Sequence, residues 1–344
     1  MRSRFSPRAS VAAVCLFLVG GGVAADAAQA PTNRDQSRYT ELHEPGFPIK
    51  GNLRFVPAAE ASLRDDEVVI GVVVGGEARA YPVNLMWGPP NEALDDVLGG
   101  HAIVATWCPV AHSGAVYERT VDGRRLKIGA VGLQNGVFVL YDAETGSRWS
   151  QVSGRAARGP LAGRALTKAG SVLTTWGAWR RLQPATSVYV DPALPGRRRF
   201  TEETLQRITL AGGGPIVNED LVAGVEADGA ARAYLVRALA GPRVLADFVG
   251  GAPVVVALAA DSVTVRAFRR TLDGRTLSLS LEGGGRMRDA ETGSSWDVLT
   301  GRAVSGPSTG RSLDGLVVTT ALWYAWRSQQ PDTTLWPEPA ASVR

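Results

Sequence analysis

The chain has 344 residues, 45% of them hydrophobic and 20% charged, and carries a formal net charge of +4 at pH 7. That composition excludes a disordered or collagen-like chain and supplies enough apolar mass for more than one core. Basic residues are scattered rather than gathered into a tract, which argues against a nucleic-acid partner.

In chain order, Arg2, Arg4 and Arg8 precede a short apolar run at residues 11–19, and small residues follow. This is the three-part form of a secretory signal peptide, and it predicts cleavage behind Ala25-Asp26-Ala27, so that residues 1–27 are removed. The run is shorter than the roughly 20 residues a membrane helix needs. No stable transmembrane segment is expected there or later, and the expected location is the periplasm or the cell exterior. Residues 28–40 read as a flexible N-terminus. The mature chain keeps one cysteine, Cys108, and so cannot form an internal disulfide.

The β-branched run 68–74, a Gly75-Gly76 turn and a strand ending at Tyr81 open the first unit. Residues 103–107, 115–120, 124–128 and 138–141 read as further strands. Asp122-Gly123, Asn135-Gly136 and Thr145-Gly146 read as turns. Short helices are predicted over 91–98 and 171–182, the latter with Trp176 and Trp179 on one face.

The same pattern then returns. VVIGVVVGGEARAYPVNLM from Val68 is answered by LVAGVEADGAARAYLVRAL from Leu221. TVDGRRL is answered by TLDGRTL, and YDAETGSRW from Tyr141 by RDAETGSSW from Arg288. Blocks roughly 150 residues apart are too widely spaced for a solenoid, so each copy reads as a domain. The expected fold is α+β and predominantly β: two homologous, mixed or antiparallel β-rich domains with short helices. The boundaries fall at 41–190 and 200–336, with a linker at 191–199 and a tail at 337–344.

The copies differ where chemistry is expected. HAIVATWCPVAHSG from His101 aligns with APVVVALAADSVTV from Ala252, so His101, Cys108 and His112 face Ala252, Ala259 and Val263. Loss of every Cys and His from the second copy places the candidate site in the first. Cys108 and His112 flank a turn that ends a strand. An imidazole beside a thiol gives a reactive thiolate, and the same pair suits copper or zinc. His101 is expected on the same strand face as Cys108, and His43 is expected to fold over the site from the N-terminal segment. Glu92 and Asp95 follow a Gly-Pro-Pro turn as acid or ligand groups, or as caps of the predicted helix. Gln151 becomes Val298 and is a candidate polar wall. Tyr81, Asp142 and Trp149 recur in the second copy and read as structural, and Asn135 reads as a turn residue.

Taken together, GEARAYPVNLM, LGGHAIVATWCPVAHSGAVYERTVDG and VGLQNGVFVLYDAETGSRWSQVSGRAARGPLAG resemble the DUF3179 family of uncharacterised proteins over about residues 55–190. The resemblance implies export and supplies no activity. The family's Y-C-P-L-C-like segment is Trp107-Cys108-Pro109-Val110-Ala111 here, so the second cysteine is absent. Residues 87–92 also lack the histidine that follows the family's Y-P motif.

The leading expectation is an exported binding protein with a mononuclear copper or zinc site on Cys108 and His112, completed by His101, His43 or Glu92. The alternative is a thiol-dependent enzyme with Cys108 as nucleophile and His112 as base. A third is a protein-interaction module. The expected partner is a metal ion or small molecule, and the oligomeric state is left open.

Overall fold

Three antiparallel-dominated sheets make up the first half of the chain. The run Val68–Val74 lies between Ser171–Thr175 and Glu77–Pro82, and Ser187–Val190 and Arg54–Pro57 extend the sheet. Its one parallel pairing joins Ser187–Val190 to Glu77–Pro82. A second sheet orders Thr167–Lys168, Ser113–Glu118, His101–Cys108 and Ala93–Leu98. The third orders Glu41–Leu42, Ile128–Gln134, Val137–Asp142, Arg148–Ser150 and Ala156–Arg158. These come from a computed structural model that describes residues 40–194, 200–210 and 215–338. The expected leader, most of the N-terminal segment and the ends of the linker and tail fall outside those residues.

The second half repeats this strand order. Leu221–Ala227 lies between Val318–Leu322 and Ala230–Leu235. Ala252–Leu258 lies between Val244–Val249 and Val265–Arg269. Arg286–Asp289 lies between Leu279–Gly283 and Ser295–Asp297. Local chemistry recurs with it. Asp122-Gly123 and Asp273-Gly274 both take left-handed φ values, as a two-residue hairpin turn requires. The Trp149 indole donates to Asp142 at 2.9 Å, and Trp296 donates to Asp289 at 2.8 Å. Tyr81 donates to Asp96 and Tyr234 to Asp247. Two edge strands, Glu41–Leu42 and Arg54–Pro57, have no counterpart at the matching sheet edges of the second half among the described residues.

The described residues belong to one compact unit. One buried cluster joins Cys108, Tyr117 and Trp149 to Val222, Tyr234 and Trp326, and another joins Trp107 and Phe200 to Val263. The halves therefore share core, and the Ala111 carbonyl accepts the Leu322 N–H at 2.8 Å across them.

Two predicted helices are corrected. Residues 91–98 form the strand Ala93–Leu98, paired throughout with His101–Cys108. Leu94 and Leu98 stand at helical spacing, but a Gly99-Gly100 hairpin turn and a waiting partner strand override that signal. Residues 171–182 divide into the strand Ser171–Thr175 and the helix Trp176–Leu182, and Thr175 caps the helix by accepting the Ala178 N–H. Val172, Leu173 and Thr174 suit the ladder beside Val68–Val74, and the two tryptophans pack only after it ends.

Gly71 and Gly224 illustrate how tightly these sheets receive their helices. A Cβ at either position would lie 2.3 Å from the ring of Trp179 or Trp326 respectively. Gly71→Ala and Gly224→Ala should each lower stability by about 1–3 kcal/mol through overpacking. Urea unfolding midpoints provide the measurement, and unchanged midpoints would contradict this packing.

Candidate functional site

Cys108 ends the strand His101–Cys108 and pairs with Ser113, leaving residues 109–112 as the turn. Neighbouring strand residues face opposite ways. Trp107 accordingly packs edge-on against Phe200, with ring centroids 5.2 Å apart, while Cys108 joins the cluster that holds Phe138 and Trp149. The thiol is fully buried. Ala111 donates its N–H to Sγ at 3.3 Å, yet burial, aided by the nearby Glu92 charge, pushes the thiol up to about 12.

His112 goes the other way. It adopts φ +47°, a conformation left-handed enough to turn its ring onto Phe200 at 5.8 Å, the side that Trp107 also occupies. The Cys108–His112 pairing expected from the turn is therefore not formed. Both imidazole nitrogens are buried without a hydrogen-bond partner among the described residues, as is Trp107 Nε1. Burial alone lowers His112 to about 4, so the ring is neutral at physiological pH.

What Cys108 does meet is a cavity of about 340 Å³ lined by Leu42, His43, Phe47, Glu92, Cys108 and Phe138, among others. Glu92 stands directly before the strand Ala93–Leu98. Its carbonyl accepts the Trp107 N–H at 3.0 Å, which fixes it across from the end of the cysteine strand. One carboxylate oxygen accepts the Gly88 N–H at 2.9 Å, and burial raises the acid to about 7. Glu92 is thus no helix cap; it is a buried acid that titrates near neutrality.

His43 arrives on the N-terminal segment. The two-residue strand Glu41–Leu42 pairs with Leu133 and Gly132 at the edge of the third sheet. Gly132 permits this approach, since a Cβ there would lie 2.2 Å from the Glu41 carbonyl oxygen. The His43 and Phe47 N–H groups then donate to Val131 and Ala130, both at 2.8 Å, and the two rings stack 4.4 Å apart. Arg148 holds the outside of the segment through an ion pair to Glu44. His43, Glu92 and Cys108 are therefore brought to one cavity, as the folding-over of His43 anticipates.

His101 is not. It is exposed at the opposite end of its strand, 3.8 Å from Glu118. Seven steps separate it from Cys108, an odd number, so the two residues face opposite sides and stand about 23 Å apart along the strand. Asp95 is occupied by Arg119 at 3.2 Å and by the Ile128 N–H. Gln151 clamps Ser113 and Thr106 inside the core. Asn135, with φ +52°, makes the turn expected of it. Among the described residues, no group of three or more His, Cys, Asp and Glu side chains is placed to hold a metal ion.

The second half shows the same framework without these groups. Arg243 takes the position of Glu92, its carbonyl accepting the Leu258 N–H as Glu92 accepts that of Trp107. Its guanidinium donates to the Ala259 carbonyl at 2.8 Å and to Ser262 at 3.0 Å. This charge reversal was a readable signal for Glu92. Phe47 and Phe138 carried no such signal, because an apolar wall looks like any core residue in sequence.

A family model described as "Protein of unknown function (DUF3179)" matches residues 45–333. No curated protein and no solved structure matches the chain.

Proposed function

We propose, for a chain that belongs to the DUF3179 family of proteins of unknown function, that its first half carries a thiol–carboxyl pocket acting on a small molecule. The observation that carries this reading is the opening of Cys108 and Glu92 into one cavity. A thiol raised to about 12 is protonated at rest and needs a base at the moment of attack. Glu92, at about 7, is matched to that task near neutral pH. In this reading Cys108 is the nucleophile, Glu92 takes its proton, and His43 and the aromatic walls position the substrate. Glu92 thus replaces His112 as the base. The second half is a copy of the first that keeps the framework and has lost the site, and the protein works outside the cytoplasm after removal of its leader.

Copper or zinc is the competing occupant. Cys108, His43 and Glu92 are suitable donor types sharing a cavity, but among the described residues no three-donor arrangement supports that reading. One experiment separates the two. Folded, untagged protein treated with iodoacetamide should take one label, at Cys108, and should contain no stoichiometric metal. Stoichiometric copper or zinc with a protected thiol would replace the pocket reading by the metal one. A metal-free protein labelled only after unfolding would refute both.

A further inference from the structure

We infer that the pocket is built for a small organic cation, a compact apolar body with one ammonium-type group directed at Glu92. The inference rests on the reading of this cavity as a ligand site and adds the class of ligand. Among the described residues no Lys or Arg lines the cavity, whereas the buried Glu92 carboxyl does. That contrasts with a chain whose formal charge is +4 overall. Glu92 is 7% exposed, and the Gly88 N–H is the single hydrogen bond to its carboxyl among the described residues. A carboxyl buried with so little compensation resists ionising until a counter-charge arrives. A ligand cation supplies that charge. Phe47 and Phe138 offer aromatic surface, which attracts cations, and Leu42, Val110 and Leu133 accommodate an apolar body. Phosphates and carboxylic acids would meet like charge and are disfavoured.

The second half makes the same point from within the molecule. At the position of Glu92 it places the Arg243 guanidinium, which rests on the carbonyl of Ala259, the counterpart of Cys108. The fold thus accepts a cation beside this strand end, and there the protein supplies its own.

The test uses three methanethiosulfonate probes on the full mature protein: neutral methyl, cationic trimethylammonioethyl and anionic sulfonatoethyl. Each forms a disulfide with the Cys108 thiolate and releases methanesulfinate. Rates are divided by those of a free small thiol in the same buffer at pH 8. The cationic probe should react at least about tenfold faster than the anionic one on this scale, a difference of roughly 1.4 kcal/mol. The preference should shrink as the pH is lowered to 5.5, and Glu92→Gln should abolish it while the neutral probe still reacts. If the neutral probe reacts and the cationic probe has no advantage at either pH, the inference is overturned and the pocket reading stands. If none of the three reaches Cys108 in the folded protein, the pocket reading itself fails.

Discussion

Replacing Arg119 by Met should destabilise the protein by about 3–5 kcal/mol, the cost of breaking a buried ion pair from one side. Arg119 is 4% exposed and donates to three carbonyls, those of Ile103, Leu126 and Asp96. It is also the partner of Asp95, which burial has already raised to about 6. Methionine keeps the length of the stem and abandons all four contacts. The matching Arg270 provides the control. It donates to Val254 and Leu277 in the same way, but Ala246 stands where Asp95 does and leaves no stranded carboxylate. Arg270→Met should cost about 1–3 kcal/mol. Urea unfolding of both variants measures the difference, and equal losses would contradict the role given to Asp95.

His112→Asn should remove an acid sensitivity of comparable size. The native imidazole, at about 4, lies below its ordinary value of 6.5 because burial opposes its charging. The unfolded chain therefore takes up a proton that the folded chain refuses. Stability owed to the neutral ring is complete above pH 6.5 and is lost as pH falls through 4. Relative to the variant, the native protein should lose about 3 kcal/mol between pH 7 and pH 4. Asparagine suits the test because it does not titrate and tolerates the left-handed backbone at this position. Glu92 and Asp95, both raised, act in the opposite sense, their contribution being lost as pH rises through about 7 and 6. Only the difference between the two proteins isolates His112. Parallel pH profiles would show that the ring has found a partner or a route to solvent.

These two buried groups also mark how far the sequence could be read. Hairpins at Asp122-Gly123 and Asn135-Gly136 were legible because a two-residue turn demands residues that accept positive φ, and few combinations do. Cys108 was legible because the second half carries alanine in its place. Its partner was not, because spacing along a turn does not say which way a ring points. The left-handed φ of His112 turns the imidazole to the face opposite Cys108, and nothing in C-P-V-A-H announces it. His101 failed for a simpler reason, the parity of the strand. Glu92 was visible as a candidate, but the helix expected around it obscured its environment. Standing directly before the strand Ala93–Leu98, it sits at the open end of that hairpin with its carboxyl buried. The cavity also depends on residues 41–47 crossing from outside the matched blocks, a long-range placement that local patterns do not encode.

The central claim, that Glu92 serves Cys108, is tested most directly by the pH dependence of Cys108 alkylation with iodoacetamide in the folded protein. With Glu92 as base, the rate should rise up to about pH 7 and then level off, following ionisation of the carboxyl. Glu92→Gln should be at least about tenfold slower at pH 7 and should climb roughly tenfold per pH unit without a plateau, as an unassisted thiol of high pKa does. Superimposable profiles for the two proteins, both rising steadily past pH 8, would contradict the account.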